Sequence, residues 1–85
     1  MTETTKTLYD ALKRFWAIAR DRRYKFFNDN GKQYLSCSMD SVQKNSKLTR
    51  ADILNGLNAL KDDDRIDFVL CDYEGRECLR YTNGW

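Results

Sequence analysis

The stretch "SVQKNSKLTRADILNGLNALKDDDRI", Ser41 to Ile66, sets two apolar segments close together across a short polar turn. Ser38, just before it, can cap a short helix from Met39 to about Asn45, with Val42 as its buried residue. Past the turn at Ser46-Lys47, Thr49 can cap a second helix, and Asp52 three residues on makes an acidic variant of the capping box. That helix carries Ile53, Leu57 and Leu60 on one face. The aspartates of the Lys61–Asp64 run oppose the negative end of a helix dipole, so the helix is expected to stop by Asp62.

Upstream, Leu8, Leu12, Phe15, Trp16 and Ala19 form one helical stripe between Thr5 and about Arg22. At that spacing Phe15 and Trp16 belong to a core rather than to a base-stacking platform. Tyr24, Phe26 and Phe27 then precede Asn28-Asp29-Asn30-Gly31, a strong turn signal. A loop or short ribbon is expected there, with a strand near Gln33–Cys37. The cluster Arg20, Arg22, Arg23 and Lys25 suits either phosphate contact or a solvated helix C-terminus.

Two strand-like runs, "RIDFVLCDY" and "RECLRYT", flank Glu74-Gly75. A two-residue turn there pairs Tyr73 with Arg76, Asp72 with Glu77, Cys71 with Cys78 and Leu70 with Leu79. One face then carries Ile66, Phe68, Leu70, Leu79 and Tyr81, which is a core pattern, and the other Val69, Cys71, Tyr73, Arg76, Cys78 and Arg80. Two opposed acids, Asp72 and Glu77, count against this register, and a longer loop is the alternative.

With 85 residues, no proline, no repeat and no Gly/Ser linker, the chain reads as a single domain over 1–85. Hydrophobic content of 41% with 13% aromatics supports a folded core and argues against disorder. No apolar run approaches the roughly 20 residues that span a bilayer, and "MTETTKTLYD" lacks the pattern of a secretory signal. A cytoplasmic location with no membrane partner is therefore expected. Cys37, Cys71 and Cys78 form no CxxC pair, and there is no His, so neither a zinc site nor any other cofactor is expected. In a reducing compartment the thiols stay free. Without a His, a phosphate-binding loop or a base beside a cysteine, the chain is not expected to be an enzyme.

The charge is uneven. Residues 1–50 hold eleven Lys/Arg and five Asp/Glu, a net +6, whereas residues 51–85 hold four and eight, a net −4. Such a chain is basic on one side only, or simply mixed.

The order helix, strand, short helix, turn, helix, hairpin resembles the winged helix-turn-helix superfamily. Val42, Ser46, Leu48, Ile53, Leu57, Leu60 and Ile66 carry the likeness, while Lys47 stands where Gly often does in that turn. The resemblance implies an α+β fold of three helices with a small antiparallel sheet and a C-terminal β-hairpin wing. It also implies double-stranded DNA as partner, with helix Thr49–Lys61 in the major groove. Its outward positions would be Arg50, Asp52, Leu54, Asn55 and Asn58, Arg50 addressing guanine and the two Asn adenine. Lys44, Lys47 and Thr49 would hold the backbone beside them, and Arg76 would reach in from the wing. Arg20, Arg22 and Arg23 would extend the footprint.

On that reading the protein is a transcriptional regulator or a replication/recombination accessory factor. Its economy suits a phage or other mobile element. One module gives limited affinity, so a homodimer or cooperative array is expected, through a surface of Val69, Cys71, Tyr73, Cys78 and Arg80. The same sheet face could instead lie under the C-terminal "TNGW". The competing reading keeps the fold but gives it a protein partner, which it binds and inhibits or modulates without contacting DNA. Leu54 and the acidic second half favour that one.

Overall fold

The computed structural model describes residues 1–23 and 26–83. Three helices and four antiparallel strands follow in the order α1 (Glu3–Asp21), β1 (Phe27–Asp29), β2 (Lys32–Ser38), α2 (Met39–Ser46), α3 (Arg50–Asp62), β3 (Ile66–Tyr73) and β4 (Arg76–Asn83). The fold is thus α+β, and the sheet runs β1-β2-β4-β3. Among the described residues no helix is long and apolar enough to cross a membrane.

Helix α1 starts two residues earlier than its apolar stripe suggests. Thr2 accepts a hydrogen bond from the Thr5 amide at 3.1 Å and caps the first turn. The stripe buries Leu8, Leu12, Trp16 and Ala19, with Tyr9 and Ala11 beside it, and leaves Phe15 half-buried. Trp16 lies 4.9 Å from the Phe26 ring and 5.8 Å from Tyr81, so it is a core residue and no base platform. Arg23, with φ 56°, ends the segment after α1. Tyr24, and with it Lys25 of the basic cluster, lies outside the described residues, as do Gly84 and Trp85 of "TNGW".

Both hairpins turn on two residues. Asn30 and Gly31 have φ of 51° and 77°, and Glu74 and Gly75 have 51° and 76°. Two left-handed residues in succession match the right-handed twist of the flanking strands. The expected loop or ribbon before β2 is therefore a true strand, β1, with Phe27 opposite Tyr34. In the C-terminal hairpin Tyr73 faces Arg76, Asp72 faces Glu77, Cys71 faces Cys78 and Leu70 faces Leu79, so the longer loop is not used.

The opposed acids are reconciled by a third residue. The Arg50 guanidinium donates from Nε and Nη2 to the two carboxylate oxygens of Glu77, both at 2.7 Å. These hydrogen bonds hold the Glu77 carboxyl below the usual carboxylate range and raise Arg50. Asp72 then faces a neutralised partner.

Strand β4 is central, and its Leu79 and Tyr81 are fully buried beneath the helices with Leu35, Val42, Ile53, Leu57, Leu60 and Ile66. The Tyr81 hydroxyl donates to the Leu12 carbonyl of α1. Leu70 departs from the expected core pattern. It points to the helix side but remains 37% exposed, because the helices do not extend over the end of β3. Phe68 is half-buried under the Lys61 ammonium, 5.6 Å from its ring.

Where α1 crosses α3, Gly56 is buried, and a Cβ built on it would stand 2.7 Å from Leu8 Cδ2. Gly56→Val should separate the two helices and destabilise the fold by about 2 kcal/mol in denaturant unfolding. An unchanged midpoint would show that this crossing tolerates bulk.

The Arg50–Glu77 pair sets a second expectation. Because the folded-state pKa of Glu77 is depressed, its stabilisation is present above the ordinary carboxylate pKa and is lost as pH falls through the folded value. Glu77→Gln should melt below the parent at neutral pH, and the gap should close in strong acid. A gap that does not vary with pH would remove the ion pair from the account of stability.

Candidate nucleic-acid interface

The bend between α2 and α3 is built by Ser46, Lys47 and Leu48. Buried Ser46 donates its hydroxyl to the Val42 carbonyl at 2.6 Å and accepts from the Leu48 amide at 3.3 Å. It therefore closes one helix and orients the chain that enters the next. Lys47 follows in the left-handed region, φ 61° and ψ 26°, and its amide donates to the Gln43 carbonyl at 2.8 Å. A non-glycine residue there costs on the order of 1 kcal/mol, offset by the helix-terminating bonds it completes. Thr49 then caps α3, its Oγ1 accepting from the Asp52 amide at 3.2 Å.

Val42, Ile53 and Leu57 are fully buried inside this corner and Leu48 packs against them, so the opposite side of α3 faces outward. Asn55 and Asn58 lie exposed on it, together with Ala51 and Ala59. Leu54 does not. It is half-buried against the core, which corrects its expected outward position and removes an apolar obstacle from the face.

The cations are unevenly engaged. Lys47 is exposed and has no ion-pair partner among the described residues. Lys44 meets Asp40 at 3.0 Å, but both side chains are about three-quarters exposed, so water and salt screen the pair. Arg50 differs, for the planar fork that would address a guanine edge is taken up by Glu77. Arg76 lines the same cleft as Met39, Gln43, Arg50 and Glu77, between the start of α2, the start of α3 and the hairpin turn. Lys44, Lys47, Thr49 and Arg50 thus gather around the helix–turn–helix corner, with Asn55 and Asn58 further along α3. Arg20 and Arg22 are exposed at the end of α1, Arg20 next to Asp21 at 3.9 Å.

The other expected surface lies on the opposite side of the sheet. Val69, Cys71 and Tyr73 of β3 share it with Cys78 and Arg80 of β4. Val69 and Tyr73 are well exposed, while the two cysteines are half-buried. Arg80 crosses the sheet to β1, its guanidinium 4.4 Å from the centre of the Phe27 ring. Tyr34 of β2 also stands on this face and its hydroxyl reaches Asp67 at 3.5 Å.

Cys37 is on the helix side, where burial pushes its thiol up to about 12. A thiol so protonated is a poor nucleophile at neutral pH. Among the described residues no three His, Cys, Asp or Glu side chains are placed to hold a metal ion.

Two features escaped the sequence reading. The Phe27–Arg80 stack joins residues with no local signal. The Arg50–Glu77 pair had a faint one, since two opposed acids in a hairpin ask for a cation nearby. No family model, curated protein or solved structure matches this chain.

Proposed function

We propose that this chain is a DNA-binding module of the winged helix-turn-helix kind, which presents α3 to the major groove of duplex DNA. The role would be that of a transcriptional regulator or a replication/recombination accessory factor. The observation that carries the reading is the left-handed bend at Lys47. It leaves Lys47 without an ion-pair partner among the described residues, Lys44 weakly paired, and Asn55 and Asn58 open on one side of α3, with the exposed Asp62 further along the same side at the helix end. Lys44 and Lys47 address phosphate, and Asn55 and Asn58 have the donors and acceptors that fit adenine in the major groove. Arg76 at the hairpin adds a further cation.

The Arg50–Glu77 pair supports a second reading, a protein-interaction module of the same fold. With its strongest base reader bound internally, α3 offers a polar and nearly neutral surface that suits a protein partner.

A salt series with random duplex DNA separates the two. On the first reading binding is micromolar at low salt, and its log–log slope against salt is about −2 to −4, as expected when a few phosphates are neutralised. Lys47→Gly removes the charge while suiting the left-handed turn, so it should reduce the slope by about one without lowering the melting temperature. No shift at micromolar protein in low salt would leave only the second reading.

Glu77→Gln gives an independent check. It frees the Arg50 fork and removes a carboxylate, and should tighten duplex binding by about threefold to tenfold. Weaker binding by this variant would place Arg50 outside the interface.

A further inference from the structure

The outward side of α3 is chemically uniform along its first turns. Ile53, Gly56, Leu57 and Leu60 are buried, which sets Ala51, Asn55, Asn58 and Asp62 on the opposite face. The amides of Asn55 and Asn58 have no hydrogen-bond partner among the described residues. Asn45 differs, for its Nδ2 donates to the Ser41 carbonyl at 2.9 Å. The donors and acceptors of Asn55 and Asn58 are therefore open to a ligand.

Both cations of the helix are drawn off this side by the C-terminal hairpin. The Arg50 guanidinium holds Glu77 through two hydrogen bonds of 2.7 Å, and the Lys61 ammonium stands 3.7 Å from Asp67 and 5.6 Å from the centre of the Phe68 ring. Guanine presents two acceptors in the major groove, O6 and N7, which call for Arg or Lys. Adenine presents the N7 acceptor and the N6 donor, which an Asn amide matches, and an alanine methyl packs on the methyl of thymine. The outward chemistry of α3 therefore matches A·T pairs and lacks the groups that address guanine.

We infer that this face selects A·T over G·C base pairs, with Asn55 and Asn58 reading adenine, Ala51 against a thymine methyl, and Glu77 excluding guanine by holding Arg50. The inference rests on the DNA reading of α3 and adds what that reading leaves open, the base composition of the target. Glu77 touches no base. It acts through Arg50, as a positioning residue.

From Ala51 to Asn58 the helix rises about 10 Å, the length of about three base pairs, so the selected site is a short A·T run. The acids of α3 lie off these positions. Asp52 is half-buried at the flank, where its amide donates to the Thr49 cap. Asp62 stands about 16 Å along the axis from Ala51, past the N-terminal turns with which such a helix reaches base edges.

Binding is compared at one low salt concentration for duplexes of equal length, one of A·T pairs alone and one of G·C pairs alone. Two further A·T duplexes carry 7-deazaadenine in place of adenine, or uracil in place of thymine. The A·T duplex should bind about tenfold or more tighter than the G·C duplex. Loss of the N7 acceptor in 7-deazaadenine should remove most of that preference, and loss of the methyl in uracil should reduce it about threefold. Asn55→Ala and Asn58→Ala should each narrow the preference with unchanged circular dichroism. Glu77→Gln should tighten the G·C duplex more than the A·T duplex. Equal binding of the A·T and G·C duplexes overturns the inference and leaves the DNA reading standing, since that reading needs only salt-dependent binding. A preference that survives both base analogues lies in the minor groove, which they leave intact, and overturns it as well. Equal tightening of both duplexes by Glu77→Gln overturns the role of Glu77. No shift with any duplex removes the inference and the DNA reading together.

Discussion

The fold hangs on the burial of Tyr81. This side chain lies on the central strand, between Leu35 of β2 and Phe68 of β3, with its ring against Trp16 and its hydroxyl on the Leu12 carbonyl of α1. A fully buried phenol is costly unless its hydroxyl finds an acceptor, and here the acceptor is the middle of the longest helix. One residue thus fixes the height of α1 over the sheet and its rotation about its own axis. Burial also raises the phenol pKa, which keeps the hydroxyl a donor at neutral pH.

With α1 placed, α3 follows. Gly56 lets the two helices approach until Leu8 fills the position of its missing Cβ, and Ile53, Leu57 and Leu60 complete the layer. The bend at Ser46–Lys47 then leaves only one side of α3 open. Asn55 and Asn58 are outward because their neighbours Ile53, Leu57 and Leu60 are inward. The ion pair between Arg50 and Glu77 ties the helix to the hairpin and withdraws a cation from the surface. The ion pair and the proposed recognition thus call on the same guanidinium.

The molecule is two-sided. All three helices lie over one face of the sheet, where the interface with DNA is proposed. The other face carries Phe27, Tyr34, Val69, Tyr73 and Arg80 and has no helix over it. An edge strand of eight residues joins the two sides, blunted by a single aspartate.

The sequence by itself determined the local structure. Ser38 and Thr49 announced their caps, Asn30-Gly31 and Glu74-Gly75 their turns, and the spacing of Leu8, Leu12 and Trp16 the buried stripe of α1. These signals act over a few residues, where propensity and hydrogen-bonding chemistry are nearly independent of the rest of the chain. Tertiary structure decided which surfaces are free. Leu54 turned inward and Leu70 stayed partly open, although pattern alone suggested the reverse. Whether a side chain is covered depends on where distant elements end. The pairing of Arg50 with Glu77, twenty-seven positions apart, and the stacking of Arg80 on Phe27 exist only once the strands are in register. Charge complementarity across such distances leaves no period or motif in the chain, and so these long-range pairs were the least legible.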